Sequence, residues 1–295
     1  MTDAFRPWAL NITATPDTAF DLADALGMEG NMTALSVTIF DAPPDNMLVQ
    51  GLYETQADAA RAKETLDPSQ MLTASIEQLP AKDWVSETQA GLPPVHAGRF
   101  LIYGSHDVDK VTGDVVSLLV DAGMAFGTGH HGTTAGCLRI FSALLDANIA
   151  MDRILDLGCG AGILAMAAAK TLPNAEIMAT DIDPDAILVT DANIIANEVT
   201  GRIKSAVVDG FDSAALKGRQ FDLIFANILA GPLMGLANDI VAATASGGRV
   251  ILSGILDEKA QDVAACFETA GLDVTPQPSL EGWTSLLGVK PESRA

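Results

Sequence analysis

The sequence has no run of about 18 uninterrupted apolar residues, so no helix of the length needed to span a bilayer is expected. Its opening residues, MTDAFRPWALNIT, lack the basic start and apolar stretch of a secretory signal. Cysteine is scarce: Cys137, Cys159 and Cys266 are odd in number and have none of the spacings that mark metal sites. These absences point to a reducing, cytoplasmic setting without a membrane anchor. Positive charge is also short, with 17 Lys and Arg against 38 Asp and Glu and a net charge of −21. Such a surface repels nucleic acid and anionic lipid and favours a basic partner, so no direct nucleic-acid binding is expected. A salty habitat or a need for solubility is the alternative source of the acidity. What is present is an ordinary globular composition, 48% apolar and 19% charged over 295 residues, long enough for two domains.

The first eighty residues alternate in a readable order. Trp8–Thr13 reads as a strand, and Pro16–Gly27 as a helix with apolar Phe20, Leu22, Ala23 and Leu26 and a glycine stop. Leu35, Val37 and Ile39 alternate with Ser36 and Thr38 as a half-buried strand does, and the turn DAPPDN leads into Met47–Tyr53. Thr55 is placed to cap an alanine-rich helix running to Leu66, which Asp67-Pro68 ends; Met71–Leu79 supplies a fourth strand. The β-α-β-β-α-β order predicts a small α+β ferredoxin-like domain over residues 1–80. No catalytic constellation occurs there, so it reads as a binding module. Residues 81–125 read as a linker with short connecting strands, containing GLPP at 91–94 and apolar runs around Leu101 and Leu118.

Over residues 126–295 strands and helices alternate. Strands are expected at Arg153–Leu157, Glu176–Thr180, Ile203–Val208, Phe221–Ala226 and Arg249–Leu252. Helices are expected around Leu164–Lys170, Pro184–Asn197, Pro232–Ala243 and Asp257–Ala270. This βα repetition implies an α/β domain with a mostly parallel sheet covered on both faces. Leu272–Thr275 and Thr284–Val289 are close enough in sequence to pair antiparallel at its edge.

Four stretches carry chemistry. In ILDLGCGAGILAMAAAK, residues 154–170, an apolar strand runs into Gly158, Gly160 and Gly162 and then into an apolar helix. Glycines permit a tight turn and close approach of backbone to a ligand. A dinucleotide fingerprint would read G-x-G-x-x-G, but position 163 is Ile, and Asp156 precedes the first glycine, where a pyrophosphate would be repelled and an ammonium welcome. In ATDIDPDAI, Asp181 ends the next strand, where a carboxylate can accept both hydroxyls of a ribose. Asp183 and Asp185 suit the start of the following helix, with Pro184 at its first position. In FDLIFANILAGPL, Asn227 is the first side chain past the strand able both to donate and to accept. Its alternative role is to cap the loop that follows.

The fourth stretch, GTGHHGTT at 127–134, has P-loop spacing with Thr133 where lysine should stand, so it lacks the charge that reaches outer phosphates. Adjacent His130 and His131 have no third ligand nearby, so no metal is expected.

Together, AFGTGHHGTT, DLGCGAGILAMAA, DIDP and ANILAGPL resemble the class I S-adenosylmethionine-dependent methyltransferases, and within them the bacterial methyltransferases of large-subunit ribosomal protein eleven. DLGCGAG alone is shared widely; ANILAGPL combined with GTG-x-H-x-TT is far more specific. The motifs cover roughly residues 80–295, and the first domain matches by order of elements. The resemblance implies a Rossmann-like methyltransferase domain at 126–295 and S-adenosylmethionine as cofactor. Thr134, Gly158, Asp181 and Asn227 are implied as its contacts, with Gly160 in the same turn. It also implies N-methylation of lysine side chains and the N-terminal amine of that ribosomal protein, and it suggests that GTGHHGTT closes over a sulfonium, which needs no lysine beside it. The sequence departs from the family at His130, where threonine is usual, and at Gly132, where proline is usual. Lys82-Asp83-Trp84 matches, but a second tryptophan usual a few residues later is absent. No general base stands out. Two other readings stay open: a methyltransferase for another protein or a small amine, and a catalytically idle protein that keeps the cofactor pocket.

Overall fold

A computed structural model of the protein describes residues 6–27, 34–42, 46–79, 94–120 and 131–292. The chain divides into two compact units, Met1–Trp84 and Val85–Ala295.

The first unit runs β1 (Trp8–Ala14), α1 (Pro16–Gly27), β2 (Ser36–Ala42), β3 (Asn46–Tyr53), α2 (Gln56–Thr65) and β4 (Thr73–Gln78). The strands form one antiparallel sheet in the order β2-β3-β1-β4, the ferredoxin-like arrangement that the element order predicts. Alternation decides which side packs. Leu10, Ile12 and Ala14 of β1 point to one side and are buried with Leu22, Leu26, Val49, Tyr53, Ala59 and Ala62. On the other side, Gln50 donates to Asn11 and Asn11 to Glu77, each at 2.7 Å, in a polar row across β3, β1 and β4. Thr55 caps α2 by accepting from the Asp58 N–H at 3.2 Å, as its position suggests.

The second unit begins with β5 (Val95–Ala97), β6 (Phe100–Tyr103) and β7 (Val116–Leu119), a small separate sheet in which β5 is antiparallel and β7 parallel to β6. Helix α3 (His131–Asp146) follows. It is absent from the βα alternation read in the sequence, where residues 127–134 are a glycine-rich loop. Ala135, Leu138, Phe141 and Leu144 recur every three residues and are all buried, and this stripe extends the helix back through Thr134, Thr133 and Gly132. Residues 127–130 lie outside the described residues, as do the KDW stretch at 82–84 and most of GLPP.

The main sheet is built from β8 (Arg153–Leu157), β9 (Glu176–Asp181), β10 (Ile203–Val207), β11 (Phe221–Asn227), β12 (Thr244–Leu256), β13 (Asp273–Pro276) and β14 (Trp283–Val289). Between them come α4 (Ile163–Thr171), α5 (Pro184–Ala196), α6 (Ala230–Gly235), α7 (Ala237–Ala243) and α8 (Ala260–Ala270). The expected helix at 232–243 is thus two, broken at Leu236 just after Gly235. The strand order is β10-β9-β8-β11-β12-β14-β13, parallel except for β14. The last two strands do pair antiparallel, but β14 inserts beside β12 and leaves β13 as the edge. Their burial explains the order: Thr284, Ser285 and Leu286 are buried, whereas β13 is mostly exposed.

Apolar layers cover both faces of the sheet. On one face Phe141 of α3 stacks on Phe100 of β6, ring centroids 5.7 Å apart, and meets Phe225 of β11 edge-on at 5.2 Å. Asn197, just past α5, ties the small sheet to this layer. Its side chain accepts from the Leu119 N–H at 2.9 Å and donates to the Leu119 carbonyl at 2.6 Å. Asn197→Ala would leave both backbone groups without partners and should destabilise the protein by about 1–3 kcal/mol. Hydrogen exchange at Leu119 should accelerate with it; unchanged protection there would mean that the strand is held by other contacts.

Candidate functional site

Parallel strands end together, and ligands of open α/β sheets bind beyond their carboxyl ends. Strand β8 ends at Leu157, and Gly158, Gly160 and Gly162 follow with φ of 68°, 52° and 75°, conformations that side chains disfavour. Backbone bonds hold the turn: Gly158 and Cys159 donate to the Thr180 carbonyl at 2.8 and 3.0 Å, and Gly162 donates to the Cys159 carbonyl at 2.8 Å. A Cβ on Gly158 would land on Cγ2 of Ile228, and one on Gly254 would land on the Ile228 carbonyl. Ile228 is therefore wedged between two glycines, which fixes Asn227 before it.

The expected residues come together in two pairs. Asp181, at the end of β9, accepts from the Gly160 N–H at 2.8 Å through Oδ2 and from the Asp183 N–H at 3.0 Å through Oδ1. Both carboxylate oxygens are oriented, and each keeps a further lone pair for a ligand hydroxyl. Asp183 caps α5 by accepting from Asp185, with Pro184 at the first helical position, which separates its role from that of Asp181. Across the sheet, Asn227 is the last residue of β11 rather than the first beyond it, and its side-chain amide donates to the Thr134 hydroxyl at 3.5 Å. Two strand spacings of about 4.8 Å separate β9 from β11, with the glycine turn of β8 between them.

Sequence reading missed the residues that hold the turn from below. Thr190 and Asn193 of α5 are buried; Thr190 donates to the Gly160 carbonyl at 2.7 Å, and Asn193 donates to the Ala161 carbonyl at 2.9 Å. With Asn197 they line one helix face at spacings of three and four. Polar side chains at helical spacing inside an apolar helix were the signal.

The electrostatics are anionic. No lysine or arginine occurs in the strand-end segments 158–162, 181–183, 227–228 or 253–254. Asp156 is buried, accepts from the Ala165 N–H at 2.9 Å, and burial pushes its carboxyl up to about 7, the Ala165 bond opposing the rise and the Asp181 charge adding to it. This donor set suits a ligand with a ribose at one end and positive charge at the other, and disfavours a pyrophosphate. Burial also pushes the Cys159 thiol up, with its sulfur 3.4 Å from the Thr190 hydroxyl, so it is poorly suited to attack. Among the described residues no group of three or more His, Cys, Asp or Glu is placed to hold a metal ion. None of the described helices is long and apolar enough to cross a membrane.

A family model described as ribosomal protein L11 methyltransferase (PrmA) matches residues 18–291. The chain belongs to that family. The ribosomal protein L11 methyltransferase of Brucella abortus (strain S19) is 43% identical over 255 residues, covering 85% of this chain and 88% of its own. The protein of the same name from Rhizobium rhizogenes is 43% identical over 239 residues, 80% of this chain and 81% of its own. Among solved structures, the ribosomal protein L11 methylase of Lactobacillus delbrueckii subsp. bulgaricus superposes with a TM-score of 0.58 at 25% identity, over 68% of this chain and all of that one. Gly132, in the first turn of α3, also makes a close approach. A Cβ there would lie 2.6 Å from the Leu280 carbonyl oxygen.

Asp156 makes stability depend on pH. Its folded pKa lies above that of an unfolded aspartate, so the folded protein binds the extra proton, and stability falls as pH rises from about 4 to about 7. Asp156→Asn retains an acceptor for Ala165 and removes this loss. The melting temperature of the ligand-free variant should match wild type near pH 4 and exceed it increasingly up to pH 7, with a constant gap above. A gap independent of pH would show that Asp156 does not titrate in this window.

Proposed function

We propose that the protein transfers methyl groups from S-adenosylmethionine to lysine side chains and the N-terminal amine of ribosomal protein L11, in the cytoplasm. The observation that carries the reading is the Asp181 carboxylate, fixed by two backbone N–H groups against the glycine turn, in a member of this family. Asp181 holds the ribose hydroxyls, Gly158 and Gly160 give the ligand close access to backbone, and Thr134 with Asn227 holds the methionine end. Ile182, 64% exposed beside Asp181, offers an apolar surface for the adenine face.

When bound, the cofactor supplies a methyl group activated by a sulfonium. The chain's own part is alignment and exclusion of water. A lysine with an unperturbed pKa near 10.4 must lose its proton before its lone pair can attack, and desolvation beside a positive sulfur favours that loss. Asn227 has both a donor and an acceptor with which to orient the amine. Asp181 is engaged by backbone and Asp156 is buried, so neither is aimed at the amine as a base.

The first unit contains none of these residues, and we assign it to presenting the ribosomal protein. The acidity of the chain suits so basic a substrate.

Two measurements test these assignments. Asp181→Ala should weaken S-adenosylmethionine binding in calorimetry by about 1–3 kcal/mol, leaving ribose hydroxyls without partners, whereas Asp183→Ala should leave affinity near wild type. The reverse pattern would give the ribose to the helix cap. Separately, a fragment starting near residue 82 should still bind the cofactor but lose most methylation of L11, read by intact mass. Full methylation by the fragment would remove the first unit from substrate recognition, and a small amine methylated in place of L11 would support the rival substrate class.

A further inference from the structure

Ser253 is fully buried on β12, directly beside Asn227 in the parallel register of β11 and β12. Its hydroxyl donates to the Thr133 carbonyl at 3.1 Å, and the Ser285 hydroxyl of β14 lies 2.9 Å away. Because Ser253 spends its proton on Thr133, Ser285 donates to Ser253. The first turn of α3 is thereby tied by its backbone to two strands, one residue before Thr134. Glycines let the helix come this close. A Cβ at Gly136 would land on the Ser285 hydroxyl, and one at Gly132 would strike the Leu280 carbonyl at 2.6 Å. The hydroxyl at position 253 also serves the buried Ser285 and the Cys137 thiol, but only its bond to Thr133 reaches the helix backbone beside Thr134.

We propose that Ser253 is a positioning residue for the methionine end of the cofactor. It sets the height of the α3 N-terminal turn so that the Thr134 hydroxyl and the Asn227 amide face the same ligand group. The proposal rests on the cofactor assignment above. It separates two halves of one ligand: Asp181 and the glycine turn hold the nucleoside from β9 and β8, while the clasp acts only on the part beyond β11.

The separation is testable on the full-length protein with two probes, S-adenosylmethionine and 5′-methylthioadenosine, which keeps the nucleoside and lacks the amino-acid end. Ser253→Ala should weaken S-adenosylmethionine about tenfold, on the scale of one buried hydrogen bond, and leave 5′-methylthioadenosine unchanged. Ser253→Cys, with similar volume and a weak donor, should recover part of the loss and serves if the alanine variant does not fold. Ser285→Ala keeps the Ser253–Thr133 bond and should cost S-adenosylmethionine clearly less than Ser253→Ala. Equal weakening of both probes would overturn the proposal and make Ser253 a general structural residue. Unchanged affinity for both probes would overturn it as well. A wild-type protein that binds neither probe would instead defeat the cofactor reading on which it rests.

Discussion

The turn from β8 into α4 is the constraint around which the second unit is arranged. Its three left-handed glycines leave backbone N–H and C=O groups that no regular helix or strand can pair, and a buried polar group without a partner is costly. The neighbours answer this need one by one. Thr180 on β9 accepts two N–H groups, Asp181 accepts a third, and Thr190 and Asn193 donate to two carbonyls. Asp181, which we propose to hold the ribose, is therefore also a bond in the scaffold. Backbone N–H groups on both of its carboxylate oxygens fix its rotamer.

The packing below the turn follows from side-chain size. Helix α4 is buried from Ile163 to Ala169 and contains four alanines over that stretch, so it can approach the sheet closely while α3 and the small β5-β6-β7 sheet close over its outer side. Phe141 ties these layers together by touching aromatic rings on both sheets. On the opposite face Leu155, Ile224 and Leu252 of the strands pack with Ile240 of α7 and Phe267 of α8.

Much of this was legible in the sequence, because periodicity and glycine spacing are local. The strand cores of β8, β9 and β11, the capping role of Asp183 and the ferredoxin-like order all follow from short windows. Helix α3 was not, because the glycines before and within it read as loop, and the reason they are tolerated is a close contact with Leu280 and Ser285 far along the chain. The place of β14 inside the sheet was hidden for the same reason: antiparallel pairing with β13 is local information, whereas pairing with β12 depends on burial. Ser253 has ordinary sequence surroundings, and Thr190 and Asn193 stand out only as polar residues at helical spacing in an apolar helix. Their importance lies in which carbonyls they meet, and only the folded chain specifies that.

The clasp at Ser253 also sets an order of events during synthesis. Its bond to Thr133 spans 120 residues, and Ser285 lies a further 32 along. The first unit, with every strand partner in place by Gln78, can form while the remainder is still being made. The cofactor end of the second unit cannot, because β14 must leave the ribosome before β12 gains its second neighbour and Ser253 its Ser285 partner. The nascent chain thus has its first unit available to fold long before it can assemble a complete methyl-transfer centre.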